Sequence, residues 1–230
     1  MTLALLLGAN PSINDCVPAN FRSATFVARK VTGNQRELAK INKDFGMSYR
    51  FSSTTVSMEE PFKLRMESKV DDSTFLFIVN GVNKVARAPR SNINVRENVA
   101  TKPGKRQTAF DFGLLTPAML KDLFDATFVR IDRATGLAVF DLKYKANMKD
   151  NTRNRVFLDP QRKVMVRREW YSQIDNRLQA TFVYTSFSNV GGVNFPVAFE
   201  VRNAENKVAG SMKYENLKVN VSLDDALFKL

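Results

Sequence analysis

From about Thr127 to Val219 the chain is a succession of β-branched and aromatic runs separated by short polar turns. The runs are Thr127–Ile131, Leu137–Tyr144, Val156–Leu158, Val164–Val166, Arg177–Tyr184 and Val197–Val201, with breaks at Asp159-Pro160 and Gly191-Gly192. Runs of this composition between turn residues predict strands joined as a long antiparallel meander. Their apolar content is heavy and often two-sided, more than a sheet with one wet face needs.

The front half predicts helix first and sheet after. Phe21, Ala24, Val27, Ala28 and Val31 recur at near-helical spacing over Ala19–Val31, and Leu38, Ile41 and Phe45 share one face of Gln35–Phe45 before Gly46. Met47–Met58 then predicts a first strand, ended by Pro61, which cannot donate to a ladder. Phe62, Leu64 and Met66 alternate with Lys63, Arg65 and Glu67, the period of a half-buried strand. Thr74–Val79 is apolar on both faces up to Asn80-Gly81, so it is expected to be covered on its outer side or to line a filled cavity. A covering helix is predicted over Leu114–Phe124: Thr116 caps it, Pro117 opens it, and Leu115, Met119, Leu120, Leu123 and Phe124 make its apolar face. The polar, basic stretch Ser91–Asp111, broken at Pro103-Gly104, is expected to be a long mobile loop.

At 230 residues and 44% apolar content one domain accounts for residues 13–230. Residues 1–12 stand apart. Leu3–Ala9 has the character of a secretory apolar region without the basic residues that precede one, or of an apolar turn packed on the sheet. No window reaches the roughly 18 apolar residues of a membrane helix. Cys16 is the single cysteine, so an intramolecular disulfide and a thiolate metal site are both excluded.

Thirty-five Lys and Arg against 23 Asp and Glu leave a charge of +12, which favours an acidic surface: nucleic acid, anionic headgroups or an acidic protein. The denser basic spots are Lys102–Arg106 and Arg162–Arg168, within an otherwise scattered distribution typical of a solvated face. The chain has no histidine, which removes histidine-based acid-base chemistry and most zinc and non-haem iron sites. No phosphate loop or calcium loop is present. Asp71-Asp72, Glu59-Glu60 and Asp224-Asp225 are adjacent pairs whose side chains diverge, so they read as turn or cap residues. No catalytic residues, metal ligands or cofactors are expected.

Glu59–Arg65 as a strand-to-strand passage, Val79-Asn80-Gly81, and the ending Tyr214–Val221 followed by Leu223–Phe228 carry a further pattern. In these segments the chain, from about Ala19 to Leu230, resembles the LolA/LolB lipoprotein-carrier superfamily. The resemblance implies an α+β fold: a half-open antiparallel β-barrel, a curved meander sheet with helices over its concave face. It further implies a periplasmic, non-enzymatic carrier, working as a monomer, that binds the acyl chains of lipoproteins or another lipid in an apolar trough. Burial of each methylene is worth roughly 0.8 kcal/mol, so such a trough needs no catalytic group.

On that reading Phe62, Leu64, Met66, Phe75, Phe77, Phe140, Leu142, Phe182 and Tyr184 line the trough, and Leu115, Met119 and Leu123 form the inner face of the lid. Lys105, Arg106, Arg167 and Arg168 would form a basic surface, with Trp170 and Tyr171 beside it, that steers the protein to an acidic membrane or partner. The family's lid-fastening arginine, just before the proline of the first hairpin, is replaced by Glu60, which leaves Arg65 or no such lock. Other classes stay open: an envelope sensor or protein-interaction module of the same fold, an enzyme of the superfamily, and a nucleic-acid binder. The last is disfavoured because Phe140 and Phe182 share their faces with apolar residues rather than Lys or Arg.

Overall fold

The computed structural model describes residues 10–42, 45–46, 49–70 and 73–230. Leu3–Ala9, Met47 and the Asp71-Asp72 pair lie outside them. Thirteen antiparallel strands form one sheet. In chain order the elements are β1 (Ser23–Gly33), α1 (Gln35–Ile41), β2 (Ser53–Glu59), β3 (Lys63–Val70), β4 (Ser73–Asn80), β5 (Asn83–Ala88) and β6 (Ile93–Asn98). After a long connection come α2 (Pro117–Asp122), β7 (Phe124–Ile131), β8 (Ala138–Tyr144), β9 (Arg153–Asp159), β10 (Val164–Tyr171), β11 (Leu178–Val190), β12 (Val193–Asn203) and β13 (Val208–Val219).

Two meanders make up the sheet. β1 to β6 run outward to one edge, β7 to β13 run inward from the other, and β1 pairs with β13 in the middle. β6 and β7 are the two edges and do not pair, so the curved sheet stays open. Residues 99–123 connect these edges as a strap across the concave face.

Alternation decides what that face carries. Ala24, Phe26 and Ala28 of β1 are buried while Thr25, Val27 and Arg29 point the other way. Register then aligns Phe26 with Val56, Met58 with Leu64, Phe140 with Val156, and Phe182 with Val201. These residues belong to one buried core. α1, capped by the Asn34 side chain on the backbone N–H groups of Arg36 and Glu37, adds Leu38 and Ile41 to one end of it.

Several sequence expectations are corrected here. Ala19–Val31 is not a helix but mostly strand β1, because its β-branched residues and the period-two set Ala24, Phe26, Ala28 outweigh the helical coincidence. The helix predicted to Phe45 stops at Ile41, and of the described part of the strand predicted over Met47–Met58 only Ser53 onward is strand. Phe62 lies in the β2–β3 turn with φ 85, not in the strand. Ser91–Asp111 is not a plain loop, since it contains edge strand β6 and two 3-10 turns, Pro103–Lys105 and Ala109–Phe112. β4 is covered on both sides as expected, but from outside by the C-terminal turn Asp225–Phe228, with Phe228 fully buried. There Arg65 donates to the Leu227 carbonyl (3.2 Å) and Asn80 to that of Phe228 (3.2 Å).

Candidate functional site

Aromatic rings line the concave face end to end. Phe26 packs on Tyr214 (4.6 Å between centroids) and Phe195 (5.6 Å), Tyr214 on Phe199 (5.8 Å), and Phe199 on Tyr184 (5.9 Å) and Phe182 (6.4 Å). Of the sequence-selected trough residues, Leu64, Phe77, Phe140, Leu142, Phe182 and Tyr184 are buried in this core. Phe62, Met66 and Phe75 pack partly buried against it. The helix is in place: Thr116 accepts from the Met119 N–H and Pro117 opens the first turn. Leu115, Met119 and Leu123 all point into the core.

The strap inserts more than that helix. Phe110 packs on Phe124 (5.1 Å), and Phe112 meets Phe26 (5.5 Å) and Tyr214 (6.2 Å), so two further rings enter the trough, one from the stretch expected to be a loop and one just beyond it. Thr108 and Asp111 close a capping box around the 3-10 turn that carries them, and a Thr-x-x-Asp spacing with one phenylalanine inside it and one just after it was the available sequence signal. Gly113 follows at φ 88 with its backbone flat on the Tyr184 ring, where a Cβ has no room. With the strap down the trough is filled by side chains. The cleft beside Phe21, Met58, Phe62 and Met119 has space of about 10 Å³, about one water.

Polar contacts fasten the strap along its length. Lys102 and Lys105 pair with Glu97 of β6 at 2.6 and 3.1 Å, and these ammonium groups hold the Glu97 carboxyl down at about 2. The Arg106 guanidinium lies 4.0 Å over the Phe62 ring. Thr116 donates to Glu60 at 3.0 Å, so the β2–β3 hairpin carries the acceptor and the strap supplies the donor. Arg65 faces the C-terminal turn and takes no part.

The deepest contact comes from Arg168, 8% exposed. Its guanidinium sits 4.1 Å over Phe110 and 4.9 Å over Phe182, donates to Asn154 Oδ1 (2.9 Å) and to the Phe110 carbonyl (3.4 Å), and lies 3.7 Å from Asp111. Arg168 is therefore not part of a basic surface. Neither is the rest of that set one patch: Lys105 is paired with Glu97, Arg106 rests on Phe62, and Arg167 lies on the outer face 3.5 Å over Phe157. Neighbours on a strand point to opposite faces, so Arg167 and Arg168 could not both be outside. The same rule separates Trp170, packed against the core, from Tyr171, whose ring lies under Arg153 at 3.6 Å on the outer face.

Burial pushes the Glu60 carboxyl above the ordinary glutamate range, with Thr116 and Arg22 opposing. An acid whose folded-state value is raised favours folding at low pH and loses that contribution as pH rises through the raised value. Glu60→Gln keeps an acceptor for Thr116 and removes the buried charge. It is expected to raise the melting temperature at pH about 8 and leave it nearly unchanged at pH about 4. Thermal unfolding followed by circular dichroism across that range checks this.

Solved structures share this fold. A putative outer membrane lipoprotein-sorting protein domain from Vibrio parahaemolyticus superposes with a TM-score of 0.63 at 11% identity, covering 94% of this chain and 93% of that one. A LolA superfamily protein from Nitrosomonas europaea gives 0.59 at 13% identity, covering 95% and 94%. The chain has the LolA-like fold. A DUF1329 family protein from Desulfovibrio piger shares it as well, with a TM-score of 0.62 at 11% identity over 91% of this chain and 90% of that one. No family model and no curated protein matches the sequence. Within the LolA-like sheet described here no helix is long and apolar enough to cross a membrane, and no group of acidic, cysteine or histidine side chains is placed to hold a metal ion among the described residues.

Proposed function

We propose that the protein is an envelope carrier that takes up the acyl chains of lipoproteins or another lipid on its concave face when the strap lifts. The supporting observation is that the middle of the aromatic face is covered by one connection, made of short turns and helix α2, rather than by another layer of the fold. Phe110, Phe112, Leu115, Met119 and Leu123 are its inserted side chains, and each contributes about 2 kcal/mol of burial, about 10 kcal/mol together. An acyl chain of about fourteen methylenes offers about 11 kcal/mol in the same place. Exchange of strap for chain is then nearly balanced, which is what reversible loading and release require.

The test is native mass spectrometry of protein purified from a bacterial periplasm, together with displacement of a fluorescent fatty acid. Co-purified lipid, or saturable displacement in the micromolar range, is the expected result. A protein that carries no lipid and binds no fatty acid, even with the strap loosened by substitution at Gly113, overturns the reading in favour of a protein-interaction module with a permanent core.

A further inference from the structure

Beneath the strap the apolar face contains polar groups whose hydrogen-bonding capacity the protein leaves unused. The Tyr184 hydroxyl, the Asn154 amide nitrogen and the Tyr49 hydroxyl are all buried and have no protein partner. The residues are 3%, 1% and 5% exposed. Buried polar groups are ordinarily satisfied, because each unpaired one forfeits its hydration. Three in one hydrophobic face is a cost that packing alone does not explain.

Asn154 and Tyr184 adjoin Arg168, and Tyr49 lies beyond it across two rings. Asn154 is its hydrogen-bond partner on β9, and on β11 Phe182, over whose ring the guanidinium lies, is two residues from Tyr184. Across Phe182, Phe45 packs edge-on (5.8 Å) and stacks on Tyr49 (5.8 Å). Arg168 is itself a buried cation without a close carboxylate. Asp111 reaches it only at 3.7 Å and is 40% exposed. Both acceptors that the strap offers, the Phe110 carbonyl and the Asp111 carboxylate, leave with the strap when it lifts.

We propose that Arg168, Asn154, Tyr184 and Tyr49 form a headgroup subsite inside the trough, which takes the anionic oxyacid end, carboxylate or phosphate, of an acyl-chain ligand. In the closed form Phe110 and Asp111 occupy it as a built-in substitute, a ring for the chain and two oxygens for the headgroup. The free amide N–H and the two hydroxyls can all donate beside the Arg168 cation, so the subsite favours an anionic acceptor, and the cation disfavours an ammonium end. The subsite rests on the carrier reading and adds to it a preference for one end of the ligand.

The experiment compares palmitate, hexadecyl phosphate and hexadecanol by displacement of the same fluorescent probe, on the wild type and on Tyr184→Phe, Tyr49→Phe and the double variant. Wild type should bind at least one of the two anionic probes about tenfold or more tighter than the alcohol, since charge-assisted hydrogen bonds in a dry site are strong. Whichever binds better identifies the headgroup as carboxylate or phosphate. The double variant should lose most of that preference and melt no lower than wild type, because only unpaired hydroxyls are removed. Equal binding of all three probes by wild type, or a preference untouched in the double variant, overturns the subsite while leaving the carrier intact. Binding of none of them overturns both.

Discussion

Replacement of Gly113 by alanine should unfasten the strap without unfolding the sheet. The residue sits at φ 88, a conformation that costs a side-chain-bearing residue about 1 kcal/mol, and the added methyl would collide with the Tyr184 ring. Tyr184 has no room to withdraw, because it is buried against Phe199. The strap therefore has to give. Strain and overpacking together amount to about 2 to 4 kcal/mol, concentrated where residue 113 meets the Tyr184 ring. Limited proteolysis should then cut within residues 99–123 well before the strands, and fatty-acid affinity should rise, because the ligand no longer pays to displace a seated strap. Loss of the whole sheet in a single transition, with no early cut, would show that strap and sheet are one cooperative unit.

Phe140→Asp should be among the most destabilising single changes, at least about 4 kcal/mol. Phe140 is 3% exposed, edge-on to Phe128 at 5.5 Å and opposite Val156. Were the trough open, the same change would spare stability and abolish only lipid binding; with the strap seated it places an unpaired charge in a closed core. Phe77→Asp is the informative partner, since the Lys84 ammonium lies 6.0 Å from that ring and can reach a carboxylate there. Urea unfolding should separate the two variants by about 1 kcal/mol or more, with Phe77→Asp the more stable.

The meander of β7 to β13 is legible in the sequence because its strands are long, β-branched and interrupted by turn residues that cannot continue them. β1 is not, since five apolar residues between Phe21 and Val31 happen to fall at helical intervals, and only its tertiary pairing on both sides decides the matter. β5 and β6 escape notice for the opposite reason. They lie at or beside a sheet edge, where Asn83, Lys84, Arg87, Asn94 and Arg96 bring no apolar pattern. The trough-facing residues of the central strands follow from alternation, and so does the lid helix from its cap and proline. What alternation could also have supplied is the inward position of Arg168, once Arg167 and Arg168 are taken as strand neighbours. That Phe110 and Phe112 enter the trough depends on where the strap crosses, which no local pattern encodes.

The central pairing of β1 with β13 joins residues 23–33 to residues 208–219, nearly the two ends of the described chain. Each meander assembles from neighbours in sequence, but the seam between them forms only when the last strand has been delivered. Loop closure of that span is entropically costly, so docking of the two halves belongs to the slow end of folding. Until then β1 presents an unpaired edge in the middle of the future sheet, the kind of edge on which chains aggregate. A protein interrupted before residue 208 would hold its aromatic surface apart from Tyr214 and Phe228 and lack the strand that encloses it, so its solubility during synthesis depends on the arrival of residues 208–219.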